Sequence, residues 1–145
     1  MKTLKNVGLI AVLVVGSSAC DVFRDQAPDN ISFRMSGSDG RTVTAIYSTE
    51  FVAGVTEIGV TQVQIFGADT VVHVLPIDTI INISRNRQFF VEIYTAPTDT
   101  VNVAVRVDAD DRNLHDQTGG IFPASPWQFV YQYNQRLTDV IEVVF

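Results

Sequence analysis

From Ile31 onward the chain alternates. Ile31, Phe33 and Met35 are separated by Ser32 and Arg34, and Gly37-Ser38-Asp39-Gly40 ends the run. Period two is the repeat of a strand with one face buried. Asp-Gly between two such runs predicts a hairpin into the β-branched segment Thr42 to Tyr47. Between Thr49 and Gly59 the period is lost and Gly54 and Gly59 interrupt it, which reads as a crossover loop or a short edge strand. Alternation resumes from Val60 to Phe66, Gly67-Ala68-Asp69 reads as a turn, and Thr70 to Leu75 as a strand closed by Pro76. Thr79 to Ser84 and Phe89 to Thr95 follow, with turns at Arg85-Asn86-Arg87 and Ala96 to Asp99. Thr100 to Asp108 is the clearest strand, with Val101, Val103, Val105 and Val107 on one face. Buried, each valine contributes roughly 1.5–2 kcal/mol, so this is expected to be a central strand. Trp127 to Asn134 alternates aromatic with mostly amide residues, and Leu137 to Phe145 reads as a closing strand.

No run in this part keeps a helical period over ten or more residues. About eight or nine short strands, with turns about every 8–12 residues, predict an all-β fold, an antiparallel β-sandwich of immunoglobulin-like type over residues 31–145. The Cys-Trp-Cys hallmark of true immunoglobulin domains is missing, so the likeness is one of architecture. Cys20 is the only cysteine, which excludes an intramolecular disulfide and leaves stability to packing.

The first twenty residues follow another logic. Lys2 and Lys5 precede an uncharged stretch from Val7 to Ala19, small residues follow, and Cys20 ends it. That order is the pattern of an export signal. It resembles a bacterial lipoprotein signal peptide, which implies that Cys20 is the lipid attachment site and that residues 1–20 are removed. Ser18 and Ala19 fit that pattern, whereas Ser17 stands where the family usually has an aliphatic residue. The alternative is a retained N-terminal anchor helix. At ~1.5 Å per residue the stretch spans roughly 20 Å, short of the ~30 Å hydrocarbon core. Residues 21–30, with Pro28, read as a short tether. The expected location is therefore the cell envelope, membrane-anchored and facing the periplasm or the cell exterior.

Charge narrows the partners. Lys2 and Lys5 are the only lysines, so the part after Cys20 sets eight arginines against all 16 acids, a net charge of −8. An acidic, lysine-free domain lacks the basic patch that nucleic-acid binding needs, and it gains nothing by charge from an anionic lipid surface.

Candidate chemistry is sparse. His73 lies in mid-strand among valines and reads as a structural side chain. His115 lies in the most polar stretch, 108–120, read as a loop, where Asp108, Asp110, Asp111 and Asp116 offer oxygen ligands suited to Ca²⁺. An EF-hand counted from Asp108 fails, because Arg112 stands at the fifth position. Nucleophile elbows, phosphate loops and zinc-spaced histidine pairs are all missing, so no enzyme is expected. Phe122, Trp127, Tyr131 and Tyr133 are the interface or ligand candidates, since aromatic residues are enriched at interfaces. The competing reading turns the row Trp127, Phe129, Tyr131 and Tyr133 to the core and the glutamines to water.

Two functions stay open. One is a non-enzymatic, membrane-tethered interaction or structural module, an accessory subunit whose partner is another membrane or envelope protein. The other is a ligand- or glycan-binding surface lipoprotein, Ca²⁺-dependent, that uses the 108–127 region.

Overall fold

The structure, a computed structural model, describes residues 26–55, 57, 59, 61–134 and 140–144. The leader 1–20 with its expected anchor helix and Cys20, and the first half of the tether, lie outside the described residues.

The described chain is all-β. Its strands are β1 (Asn30–Gly37), β2 (Thr42–Val55), β3 (Thr61–Val74), β4 (Ile77–Asn82), β5 (Gln88–Tyr94), β6 (Val101–Ala109), β7 (Arg112–Ile121), β8 (Trp127–Gln132) and β9 (Val140–Val144). All pairings are antiparallel, in two sheets ordered β4-β1-β6-β7 and β3-β2-β5-β8-β9. The sheets form a two-layer sandwich. β1 lies inside its sheet between β4 and β6, whereas the immunoglobulin order places the first strand at an edge.

Alternation builds the core. Ile31, Phe33 and Met35 of β1 and Val101, Val103, Val105 and Val107 of β6 point inward from one sheet. Val43, Ala45, Phe89, Val91, Ile93, Trp127, Phe129 and Tyr131 meet them from the other. Phe33 bridges the layers, its ring 6.0 Å from Trp127 and 6.4 Å from Phe89. Such tilted pairs add to the burial of large apolar surface.

An expected turn and an expected loop are strand. Residues 42–55, and 61–74 across from them, form one long hairpin, β2 and β3, each of 14 residues. Gly67 continues β3 rather than turning it, because it sits opposite a bulge in β2 near Glu50. A bulge absorbs an extra residue and twists the strand without ending it. The Asp-rich stretch 108–120 is the tight hairpin of β6 and β7, paired from Val101↔Ile121 to Ala109↔Arg112. Asp110 turns it with a left-handed φ of 47°, a conformation that Asp tolerates better than most residues.

The end of the expected tether is docked on the domain. The Asp29 and Asn30 amides donate to the Asp110 carboxylate at 3.0 and 3.1 Å. The Arg87 guanidinium donates to the carbonyls of Ala27 and Pro28 and pairs with Asp29. Pro28 is buried.

Gly37 closes β1 where a Cβ would lie 2.8 Å from the Asn102 carbonyl oxygen and 3.0 Å from Leu75 Cδ1. Backbone cannot yield there without loosening the β1–β6 ladder. Gly37→Ala is expected to cost about 1–3 kcal/mol in urea unfolding. Gly54→Ala, where a Cβ meets nothing within 4 Å, serves as the control and leaves the midpoint unchanged or higher. Equal midpoints for wild type and Gly37→Ala would refute the packing argument.

Candidate functional site

β3 and β4 are the edges of the two sheets on the same side of the sandwich, joined through Leu75 and Pro76. Between them lies a cleft of about 570 Å³, within the range of small-molecule sites. Its floor is Tyr47, whose hydroxyl shares a hydrogen bond with His73 Nε2 at 3.1 Å. The Tyr47 ring stacks on Phe89 and meets Phe33 and His73 edge-on. Burial pushes the Tyr47 hydroxyl up to about 12, so it remains a neutral phenol at physiological pH.

The β2 bulge forms one end of the cleft. The buried Ser48 hydroxyl donates toward the carbonyls of Gly67 and Glu50 and accepts from the Glu50 amide at 3.0 Å. One side chain thus satisfies the backbone groups that the bulge takes out of the ladder. Asn86 and Gln88 support the same corner by donating to the Thr49 carbonyl at 2.9 and 3.1 Å. Asp69 and Val71 line the cleft from β3, Thr79 and Ile81 from β4, and Glu50 from the bulge.

The aromatic candidates do not share a surface. Trp127 and Tyr131 are 0% exposed and belong to the core, so neither can serve as a surface contact. The Tyr131 hydroxyl accepts from Arg112 at 3.0 Å. Tyr133 is half-buried against the core. Phe122 alone stands out, 50% exposed in a short loop closed by a backbone bridge to Ser125. The period-two alternation of β8 decides this outcome: it turns the odd positions inward, prolines notwithstanding.

The carboxylates proposed for Ca²⁺ are engaged separately. Asp108 is buried on the outer face of its sheet, held by Arg34 at 3.1 Å, Arg106 at 2.9 Å and Asn113 at 2.8 Å. Asp110 accepts from the backbone ahead of β1, Asp116 pairs with Arg106 at 3.5 Å, and Asp111 is exposed at the turn. Among the described residues, no three His, Cys, Asp or Glu side chains are grouped to hold a metal ion. A guanidinium pair occupies the place a cation would take. Sequence reasoning missed the cleft; its one signal was the inward row Asp69, Val71 and His73, too polar for a core face.

His115 is buried against the rings of Trp127 and Phe129, at 5.9 and 6.0 Å. Burial pulls its imidazole below the usual histidine value, against the opposing pull of Asp116. For Asp108, burial would raise the carboxyl. Hydrogen bonds from Arg106 and Asn113, with the charges of Arg106 and Arg34, outweigh that and hold it below its ordinary value. The two act in different windows. With its folded value depressed, His115 stays neutral while the unfolded chain takes up a proton, so stability falls as pH drops below about 6.5. The Asp108 contribution is fully present there and is lost only below about pH 4. The urea midpoint is therefore expected to drop between pH 7.5 and pH 5.5, and to drop less in His115→Gln. An equally steep drop in the variant would remove His115 from the account.

No protein-family model matches the chain, and neither a curated protein nor a solved structure matches it.

Proposed function

We propose that this chain is an exported, membrane-tethered interaction module without a catalytic set, built on the two-layer β-sandwich and held in the cell envelope through Cys20. The observation that carries the reading is the outer face of the edge strand β3. Val72 and Val74 are 65% and 60% exposed there, and the 14-residue strand contains no proline, lysine or arginine. Natural edges are normally blunted by such residues or kept short. The opposite edge of the other sheet fits that habit, since β7 carries Arg112 and Asp116. Its apolar end, Val72 and Val74, suits a protein partner laid along it.

The leader supports the address and the tether sets the reach. With Ala27 and Pro28 held by Arg87, only Asp21 to Gln26 remain as spacer, at most about 20 Å fully extended. A partner at that distance from the bilayer is another membrane or envelope protein, for which this domain acts as an accessory subunit.

Mild-detergent purification of the full chain is expected to bring one envelope protein in stoichiometric amount. The double variant Val72→Lys, Val74→Lys loses that partner by about tenfold or more while melting within about 2 °C of wild type, because both side chains face water. A wild-type chain that purifies alone, or a variant that retains the partner, would overturn the edge assignment. Intact mass tests the tether independently: a chain starting at Cys20 with added acyl mass is expected, and an unacylated chain starting at Met1 would refute lipidation.

A further inference from the structure

We infer that the gap between the β3 and β4 edges receives an extended segment of another protein. The segment adds to β3 as a further strand and lays alternate side chains in the cleft over Tyr47. The inference rests on the edge contact proposed above and supplies its backbone pairing, length and side-chain pattern.

Backbone chemistry comes first. Among the described residues β3 pairs with β2 alone, and β4 with β1 alone. An edge strand turns the amide and carbonyl of every second residue away from its one neighbour. From Asp69 to Val74, β3 keeps an unbroken register with β2, and its other flank borders the gap. Another extended backbone matches such an edge in full, because it offers donors and acceptors at the same spacing.

The gap sets the length. The bulge held by Ser48 closes one end beside Glu50 and Gly67. The link between β3 and β4 at Leu75 and Pro76 closes the other. Asp69 to Val74 lies across the gap from β4, a strand of 6 residues. The slot therefore takes about six residues, roughly 20 Å of strand.

Side chains set the pattern. On the inner face the new strand meets Asp69, Val71 and His73 across the ladder, with Thr79 and Ile81 beyond. Val71 is 40% exposed although it lines the cleft, and an apolar side chain opposite it would cover both Val71 and Ile81. On the outer face Val72 and Val74 stand open to β-branched partners. β4 makes a poorer host, because the exposed Asp78 and Asn82 flank Ile80 on its outer face.

Charge argues against a second copy as the occupant. That copy would bring the same β3 with its Asp69, on a domain with eight arginines against 16 acids after Cys20. No lysine or arginine lines the cleft. A segment with a lysine opposite Asp69 complements this edge, whereas a second copy does not.

The test uses the full chain in neutral-detergent micelles and the capped peptide Val-Ser-Val-Ile-Thr-Lys as probe. Backbone amide signals of β3 and the Tyr47 ring are followed by NMR. Saturable shifts are expected at Asp69 to Val74 and at Tyr47. Two further peptides are methylated on alternate backbone nitrogens, one in each phase. One phase is expected to bind like the parent and the other about tenfold or more weakly, because one set of amides faces β3. Val71→Lys is expected to weaken the parent peptide about tenfold. Thr118→Lys, the same charge on the far edge strand β7, leaves it unchanged. Replacing the peptide lysine by glutamate weakens binding about threefold. Equal affinities in the two phases, kept or lost together, overturn strand addition, as do shifts that map away from β3. A wild-type chain whose β3 amides shift on dilution without peptide overturns the choice of occupant in favour of a second copy. The peptide needs no copurified partner, so the two readings fail separately. Loss of the partner in the lysine double variant, with equal peptide phases, would leave the edge contact standing and sink strand addition alone.

Discussion

One hydroxyl decides how the longest hairpin of this protein is used. Ser48 is buried at the bulge of β2, where it donates toward two carbonyls and accepts from one amide. Before the bulge, Val43, Ala45 and Tyr47 face the core of the sandwich. After it, Phe51 and Ala53, with Val63 and Ile65 across the hairpin, pack instead on Phe90 and Val130. Those two lie on the opposite face of the sheet from Phe89, Val91, Phe129 and Tyr131. The bulge thus carries one ribbon from the inside of the sandwich to its outside and creates a second, smaller apolar cluster. Without it the cleft would have no end wall and Phe90 no cover.

Charge is distributed unevenly for a domain so acidic. On the outer face of the β4-β1-β6-β7 sheet, Arg34 and Arg106 close around Asp108 and Arg106 reaches Asp116. Exposed ion pairs add little each, but a network around a buried carboxylate holds more. At the tether end Arg87 does similar work for Asp29, and at the far end Arg41 binds Asp99 at 2.7 Å. The arginines are thereby largely consumed by structure.

The sequence was most legible where burial is one-sided and regular. β1, β6 and β8 announce themselves through Ile31-Phe33-Met35, the valine row and the aromatic row, because one face of each meets the core and the other meets water. It was least legible where the chain departs from that rule. β7 carries buried positions only at His115 and Ile121, with Leu114, Gly119 and Gly120 half-buried, so its pattern has no period and reads as a polar loop. The bulge between Val107 and Asp108 breaks the phase just before it. Gly67 looks like a breaker because glycine usually is one; its place opposite Glu50 depends on a pairing partner 17 positions away. The cleft could not be read locally at all, since it needs the two sheet edges that only the fold brings together.

The position of β1 has a mechanical side. Its ladder to β4 runs from Asn30 to Met35 and its ladder to β6 from Ile31 to Gly37, so it is bonded on both flanks over almost its full length. A pull on the chain ahead of Asn30 acts along the strand axis and meets both ladders in shear, with the Asp110 and Arg87 contacts as a first stop. Such bonds share a load and must break together. At the other terminus, β9 is an edge strand bonded only to β8, and a pull across that ladder would part it one bond after another. The fold is stiff toward the end that leads to the leader and yielding toward the other.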